Sequence, residues 1–161
     1  MEDIVGKMLK EKKLTLSVAE SCTGGLIGHH LTNVPGSSSY FQGGVIVYSN
    51  PSKVNLLDVA QEVLERYGAV SDQVVRMMAE GVKKMMDTDI GLAVTGIAGP
   101  DGGSDEKPVG TVHIGLAVEN MTFSGKYRFR GTREQVKSDT AMTALDWVRK
   151  YLHEDSFLPG I

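Results

Sequence analysis

The sequence predicts an α/β protein, a three-layer α/β/α sandwich with a mixed, mostly parallel sheet. Three observations lead there. Helical and strand-like patterns alternate over the first two-thirds of the chain, which favours parallel strands with helices on both faces. Two adjacent strand-like segments then close the last third as a hairpin, which makes the sheet mixed. Composition is that of an ordinary globular protein, with 41% apolar and 23% charged residues.

The elements follow in order. Residues 2 to 12 place Ile4, Val5, Met8 and Leu9 at helical spacing between charges, an amphipathic helix that should lie on the sheet. Leu14 to Ala19 is a short apolar, β-branched run. The chain then turns through Glu20-Ser21-Cys22-Thr23-Gly24-Gly25 into a helix over Leu26 to Leu31. Asn33 to Ser39 is a breaker cluster, and Phe41 to Tyr48 reads as the next strand, carrying Gly43-Gly44. At Asn50-Pro51 a helix should begin, with Asn as its cap and Pro at its first position, so that Lys53 falls in the first turn. Ser71 caps a longer helix to about Met86, with Val74, Val75, Met78 and Val82 facing inward. Ile90 to Thr95 is a strand that runs into the glycine-rich loop Gly96 to Gly103. Thr111 to Val118 and Thr122 to Phe129 flank the two-residue turn Glu119-Asn120. The last helix opens on Thr132-Arg133-Glu134-Gln135, a capping box.

Residues 1–161 read as one domain without internal repeat, low-complexity stretch or linker; Leu158 to Ile161 reads as a loose tail. At this length folding buries about 68–70% of the unfolded chain's surface, enough for a real core. No apolar run approaches the ~20 residues of a membrane span, and the acidic opening Met1-Glu2-Asp3 is unlike a targeting segment, so a cytoplasmic protein without a membrane partner is expected. The single cysteine, Cys22, excludes an internal disulfide and a cysteine-based zinc site. With a net charge of −3 and basic residues scattered outside Lys7 to Lys13 and Lys126 to Arg133, nucleic acid is not an expected partner. A homo-oligomer is compatible with the sequence and not specified by it.

The candidate chemistry lies where loops leave the carboxyl ends of the strands, the edge at which open α/β sheets bind ligands. Ser21 falls at a strand-to-helix turn, where the N–H groups of Cys22 and Thr23 and the helix dipole would favour an oxyanion. An isolated serine there also serves as a plain helix cap. Gly24 and Gly25, costly in a helix, point to a close approach of backbone or ligand. A serine nucleophile needs a base, and Lys53 is the best candidate, because a first-turn lysine faces the positive helix end and loses further basicity on burial. Tyr48 could relay the proton or hold the lysine. The plain alternatives are a solvated lysine and a strand aromatic. Cys22 could itself attack if its thiol were acidified, or be a buried, inert residue. His29-His30 sits mid-helix with no metalloprotease spacing, so at least one of the pair should face solvent. Asp101 and Asp105 could hold magnesium, or simply be solvated loop residues.

A wider pattern joins these residues: Ala19-Glu20-Ser21-Cys22-Thr23-Gly24-Gly25, Gly43 to Asn50 with Lys53, Gly68-Ala69-Val70-Ser71, Thr95 to Gly103, and Lys107 to Val112. In that order, over nearly the whole chain, it resembles the CinA C-terminal domain family. The resemblance implies a three-layer α/β/α fold and a serine amidase that deamidates nicotinamide mononucleotide, with Ser21, Tyr48 and Lys53 as its catalytic set. Its substrate is then a small nucleotide, and neither a cofactor nor a metal is expected. The oxyanion and the substrate would be held by Cys22, Thr23, Gly24, Gly25, Thr95, Gly96, Ala98 and Gly99, with Arg133 near the phosphate. Some relatives carry a further N-terminal domain that hydrolyses ADP-ribose, an activity not expected of the present sequence.

Overall fold

In a computed structural model that describes residues 1–153, the chain forms the expected sandwich. The elements are α1 (Glu2–Lys12), β1 (Leu16–Glu20), α2 (Leu26–Thr32), β2 (Phe41–Ile46), α3 (Asn50–Leu57), α4 (Gln61–Tyr67), α5 (Asp72–Met86), β3 (Ile90–Gly96), β4 (Thr111–Val118), β5 (Met121–Arg128) and α6 (Arg133–His153). The strands lie in the order β2-β1-β3-β4-β5. β1 pairs in parallel with both β2 and β3, whereas β4 runs antiparallel to β3 and to β5. Four strands thus share one direction and β4 alone is reversed, a mixed and mostly parallel sheet.

The two faces of the sheet are covered separately. Leu16 and Val18 of β1, Leu92 and Val94 of β3, and Ile114 and Leu116 of β4 pack against α1, α2 and α6. Ala19, Ala93 and Ala117 point the other way, onto α3, α4 and α5. Small residues on this second face let α5 lie close to the sheet: a side chain at Gly91 would strike the carbonyl of Ala79, and one at Gly115 that of Val75. Val74, Val75, Met78 and Val82 are fully buried, as their spacing predicts.

Several local expectations need correction. The cap of α3 is Ser49, whose hydroxyl accepts from the N–H of Ser52; Asn50 is already helical. The β2 strand ends at Ile46, so Val47 and Tyr48 lead out of the sheet. In α1, Val5 and Leu9 face the core but Ile4 is exposed. The short helix α4 was not apparent in the sequence. The hairpin turn at Glu119-Asn120 forms with Val118 opposite Met121. The box at the start of α6 closes reciprocally, Thr132 N–H to Gln135 Oε1 and Gln135 N–H to Thr132 Oγ1. Leu158 to Ile161 lies outside the described residues. No helix of the described residues is long and apolar enough to cross a membrane.

Candidate active site

β1, β2 and β3 end at one edge of the sheet. Because β2 lies to one side of β1 and β3 to the other, the chains leaving β1 and β3 diverge and open a crevice between their carboxyl ends. A cleft of about 200 Å³ occupies this place, lined by Ser21, Lys53, Tyr48, Thr95 and Arg133 together with Cys22, Gly96 and Ala98. Ala69 and Val70 complete it; the sequence reading did not single them out as site residues. They belong to the segment before α5, which Thr95 holds down by a 2.9 Å hydrogen bond from its hydroxyl to the Ala69 carbonyl.

Ser21 is the first residue beyond β1. Its N–H donates to the Val94 carbonyl of β3, and its carbonyl accepts from Gly24, closing a β-turn. Gly24 and Gly25 carry φ of +63° and +101°, left-handed backbone that explains the glycine pair. The carboxylate of Glu20, a buried residue the sequence reading passed over, organises the rest of the turn. It accepts hydrogen bonds from the Thr23 hydroxyl and from the N–H groups of Gly25, Ile27 and Gly28. The positive end of α2 is therefore occupied by the protein's own anion. Among the described residues the N–H groups of Cys22 and Thr23 donate to no other residue, and of the two only Cys22 borders the cleft. Thr23 and Gly25 do not line the cleft: the Thr23 side chain serves Glu20, and Gly25 borders a separate groove between α2 and β2.

Lys53 is buried to 1% exposure, with its ammonium nitrogen 3.2 Å from Ser21 Oγ, 2.7 Å from the Val47 carbonyl oxygen and 3.4 Å from that of Tyr48. The exit of β2 therefore presents two backbone carbonyls to the amine. Burial holds the Lys53 pKa below the ordinary lysine value, and among the described residues no carboxylate pairs with it to oppose this. Cys22 goes the opposite way. Burial, with Glu20 adding to it, pushes the thiol up to about 12, so it is a packed, protonated residue at neutral pH and not an acidified nucleophile.

The Tyr48 phenol turns outward. The residue is 60% exposed and its hydroxyl accepts from Arg133 Nη2 at 2.8 Å, while Arg133 Nη1 donates to the Gly99 carbonyl at 2.6 Å. The phenol makes no hydrogen bond to Lys53; Tyr48 reaches that amine through its backbone oxygen. Arg133, at the first turn of α6, ties the exit of β2 to the glycine-rich loop across the cleft mouth. Asp101 and Asp105 are exposed, and among the described residues no three of His, Cys, Asp and Glu gather as a metal-binding group. His29 is exposed and His30 half-buried, 3.4 Å from Glu2.

Known proteins share this fold and much of this sequence. The CinA C-terminal domain family model matches residues 1–152, and the chain belongs to that family. A CinA-like protein of Geotalea uraniireducens is 50% identical over 94% of this chain, which corresponds to 36% of that protein. The chain thus spans about a third of the length of such curated relatives. Among solved structures, the competence damage-inducible protein A of Klebsiella pneumoniae superposes with a TM-score of 0.93 at 32% identity, covering 96% of each chain. The competence/damage inducible protein CihA of Agrobacterium tumefaciens gives 0.89 at 37% identity, covering 95% of each.

Proposed function

We propose that this domain is a serine amidase that hydrolyses the carboxamide of nicotinamide mononucleotide, releasing ammonia and nicotinic acid mononucleotide, in the cytoplasm where that substrate would be met. The observation that carries the reading is the setting of Lys53. A neutral amine has two protons and one lone pair. The carbonyls of Val47 and Tyr48 can only accept, so they take the two protons, and the lone pair is left for the hydroxyl of Ser21 at 3.2 Å.

The steps follow from this arrangement. Ser21 Oγ bonds to the carboxamide carbon as its proton passes to Lys53, and the carbonyl oxygen becomes an oxyanion that the N–H of Cys22, at the cleft wall, would hold. Lys53 returns the proton to the leaving nitrogen, the C–N bond breaks, and ammonia departs from an acyl-Ser21. Water then attacks the acyl carbon with Lys53 again as base, freeing the acid and restoring Ser21. Arg133 and Tyr48 border the mouth through which the nucleotide would enter, Thr95, Gly96 and Ala98 form its β3 side, and Gly99, outside the lining, is tied to the mouth by Arg133. The family resemblance supports this choice of substrate over other carboxamides.

The test is ammonia release by purified protein from a panel of nicotinamide mononucleotide, nicotinamide riboside and free nicotinamide. Turnover should be far greater on the mononucleotide, since ribose and phosphate contacts supply binding energy for the reacting end. Equal efficiency on free nicotinamide would point to a plain nicotinamidase. Tight nucleotide binding with no ammonia from any member would identify a non-catalytic nucleotide-binding module instead.

A further inference from the structure

A second cation stands over the nucleophile turn, and the steps above do not use it. Lys137 lies four residues beyond Arg133, on the same face of α6. It is half-buried, and its ammonium points back at the Ser21 turn. A methyl group built on Gly24 would lie 3.8 Å from Lys137 Nζ and would meet no other side chain or backbone atom within 4 Å beyond its own neighbours in the chain. The lysine nitrogen thus stands within van der Waals reach of the Gly24 side of the turn, and nothing else crowds that side. Lys137 has neither hydrogen bond nor ion pair among the described residues. The carboxylate in the neighbourhood, Glu20, is enclosed by its four donors. Arg133 is in the contrary state, with both terminal nitrogens engaged by Gly99 and Tyr48. The charge on Lys137 does reach the turn, where it works with Lys53 against the rise of the Cys22 thiol.

We propose that Lys137 is a specificity-determining residue that binds the phosphate monoester of the substrate across Gly24; this rests on the amidase reading of the site. A partly desolvated ammonium with no acceptor is unfavourable until an anion completes it, and lysine serves phosphate as a point charge. The place is suitable. The Ser21–Gly24 turn keeps the two Cα atoms within about 7 Å, a separation that a mononucleotide can span between its carboxamide and its phosphate. Arg133 then acts as the tie across the mouth, and Lys137 as the anion's partner.

The experiment compares Lys137→Gln, Lys137→Arg and the surface control Lys7→Gln with the parent, measuring kcat and KM on nicotinamide mononucleotide and on nicotinamide riboside. Lys137→Gln should reduce the preference for the mononucleotide by about 10-fold or more, chiefly through KM, the size expected for a lost hydrogen bond to a charged group. Lys137→Arg should restore most of it, and Lys7→Gln should keep the parent's preference. Equal losses on both substrates would mark a merely structural lysine, and an unchanged preference in Lys137→Gln would equally overturn the proposal. A calorimetric arm on Ser21→Ala protein, with and without Lys137→Gln, titrates nicotinic acid mononucleotide and inorganic phosphate. Lys137→Gln should weaken nucleotide binding about 10-fold, and the nucleotide should bind more tightly than phosphate. Phosphate binding the tighter of the two would assign the site to the free anion and overturn the proposal. If the parent releases no ammonia, the amidase reading fails and this binding arm alone decides on Lys137.

Discussion

The cleft has two walls that treat a cation in opposite ways. On the inner wall, between β1 and α3, Lys53 is buried and among the described residues its amine meets two carbonyls and a hydroxyl. On the outer wall, Arg133 is exposed and spans Tyr48 and Gly99. The contrast sorts the chemistry. An amine without a counter-ion in a dry setting is driven toward its neutral form, and that form can take a proton. A guanidinium stays charged in either setting, so it can tie and attract but not act as base. In the proposed reaction the inner wall moves a proton and the outer wall holds a shape.

The largest effect should come from the inner wall. Ser21→Ala should lower ammonia release from nicotinamide mononucleotide by about 10⁴-fold or more with the fold intact, as loss of a covalent nucleophile does. Cys22→Ala, at a buried protonated thiol, should stay within about tenfold of the parent. A dead cysteine variant beside an active serine variant would reverse the assignment.

Lys53→Met sharpens the contrast through stability. A lysine whose pKa is lowered by folding binds fewer protons in the native state than in the unfolded chain, so it costs stability at low and neutral pH. That cost fades as pH climbs toward the ordinary value of about 10.4. The melting temperature of Lys53→Met relative to the parent should therefore be highest near neutrality and should fall as pH rises, while its activity is lost. A difference independent of pH would mean that Lys53 is not held as a destabilised cation.

The smallest effect belongs to the outer wall. Tyr48→Phe removes the hydroxyl that receives Arg133 but leaves the Tyr48 carbonyl on Lys53, so a loss of about tenfold or less is expected, mainly in KM. A loss as complete as that of Ser21→Ala, with the folded state unchanged, would move the phenol into the proton path and collapse the distinction between the walls.

The inner wall was also the more legible in the sequence. Ser21 and Lys53 could be picked out because a turn after a strand and a helix start after Asn50-Pro51 are local signals, and the sheet edge brings both to one place. What escaped were groups whose role depends on where a neighbouring segment turns. The Val47 and Tyr48 carbonyls face Lys53 only because the chain leaves the sheet at Ile46, two residues before the expected end of the strand. Glu20 reads as an ordinary charged residue after an apolar run until α2 folds its N–H groups around the carboxylate. The direction of the Tyr48 phenol is set by α6, more than eighty residues away in the chain, so no local pattern could give it. The missed helix α4 has only Leu64 fully buried among its seven residues, too short a stripe to show a period. Ser49 rather than Asn50 became the cap of α3 because both can serve and the backbone chose the earlier one.

The most direct test of the central claim is the rate of acyl-enzyme formation from nicotinamide mononucleotide across pH, in the parent and in Lys53→Arg. The parent rate should rise with pH along a single limb and level off below the ordinary lysine pKa of about 10.4, because only neutral Lys53 can accept the Ser21 proton. Lys53→Arg keeps the charge, has no lone pair to offer, and should form no acyl-enzyme at any pH tested. An arginine variant with the parent's rate and the parent's pH profile would contradict the account and leave Ser21 without its base.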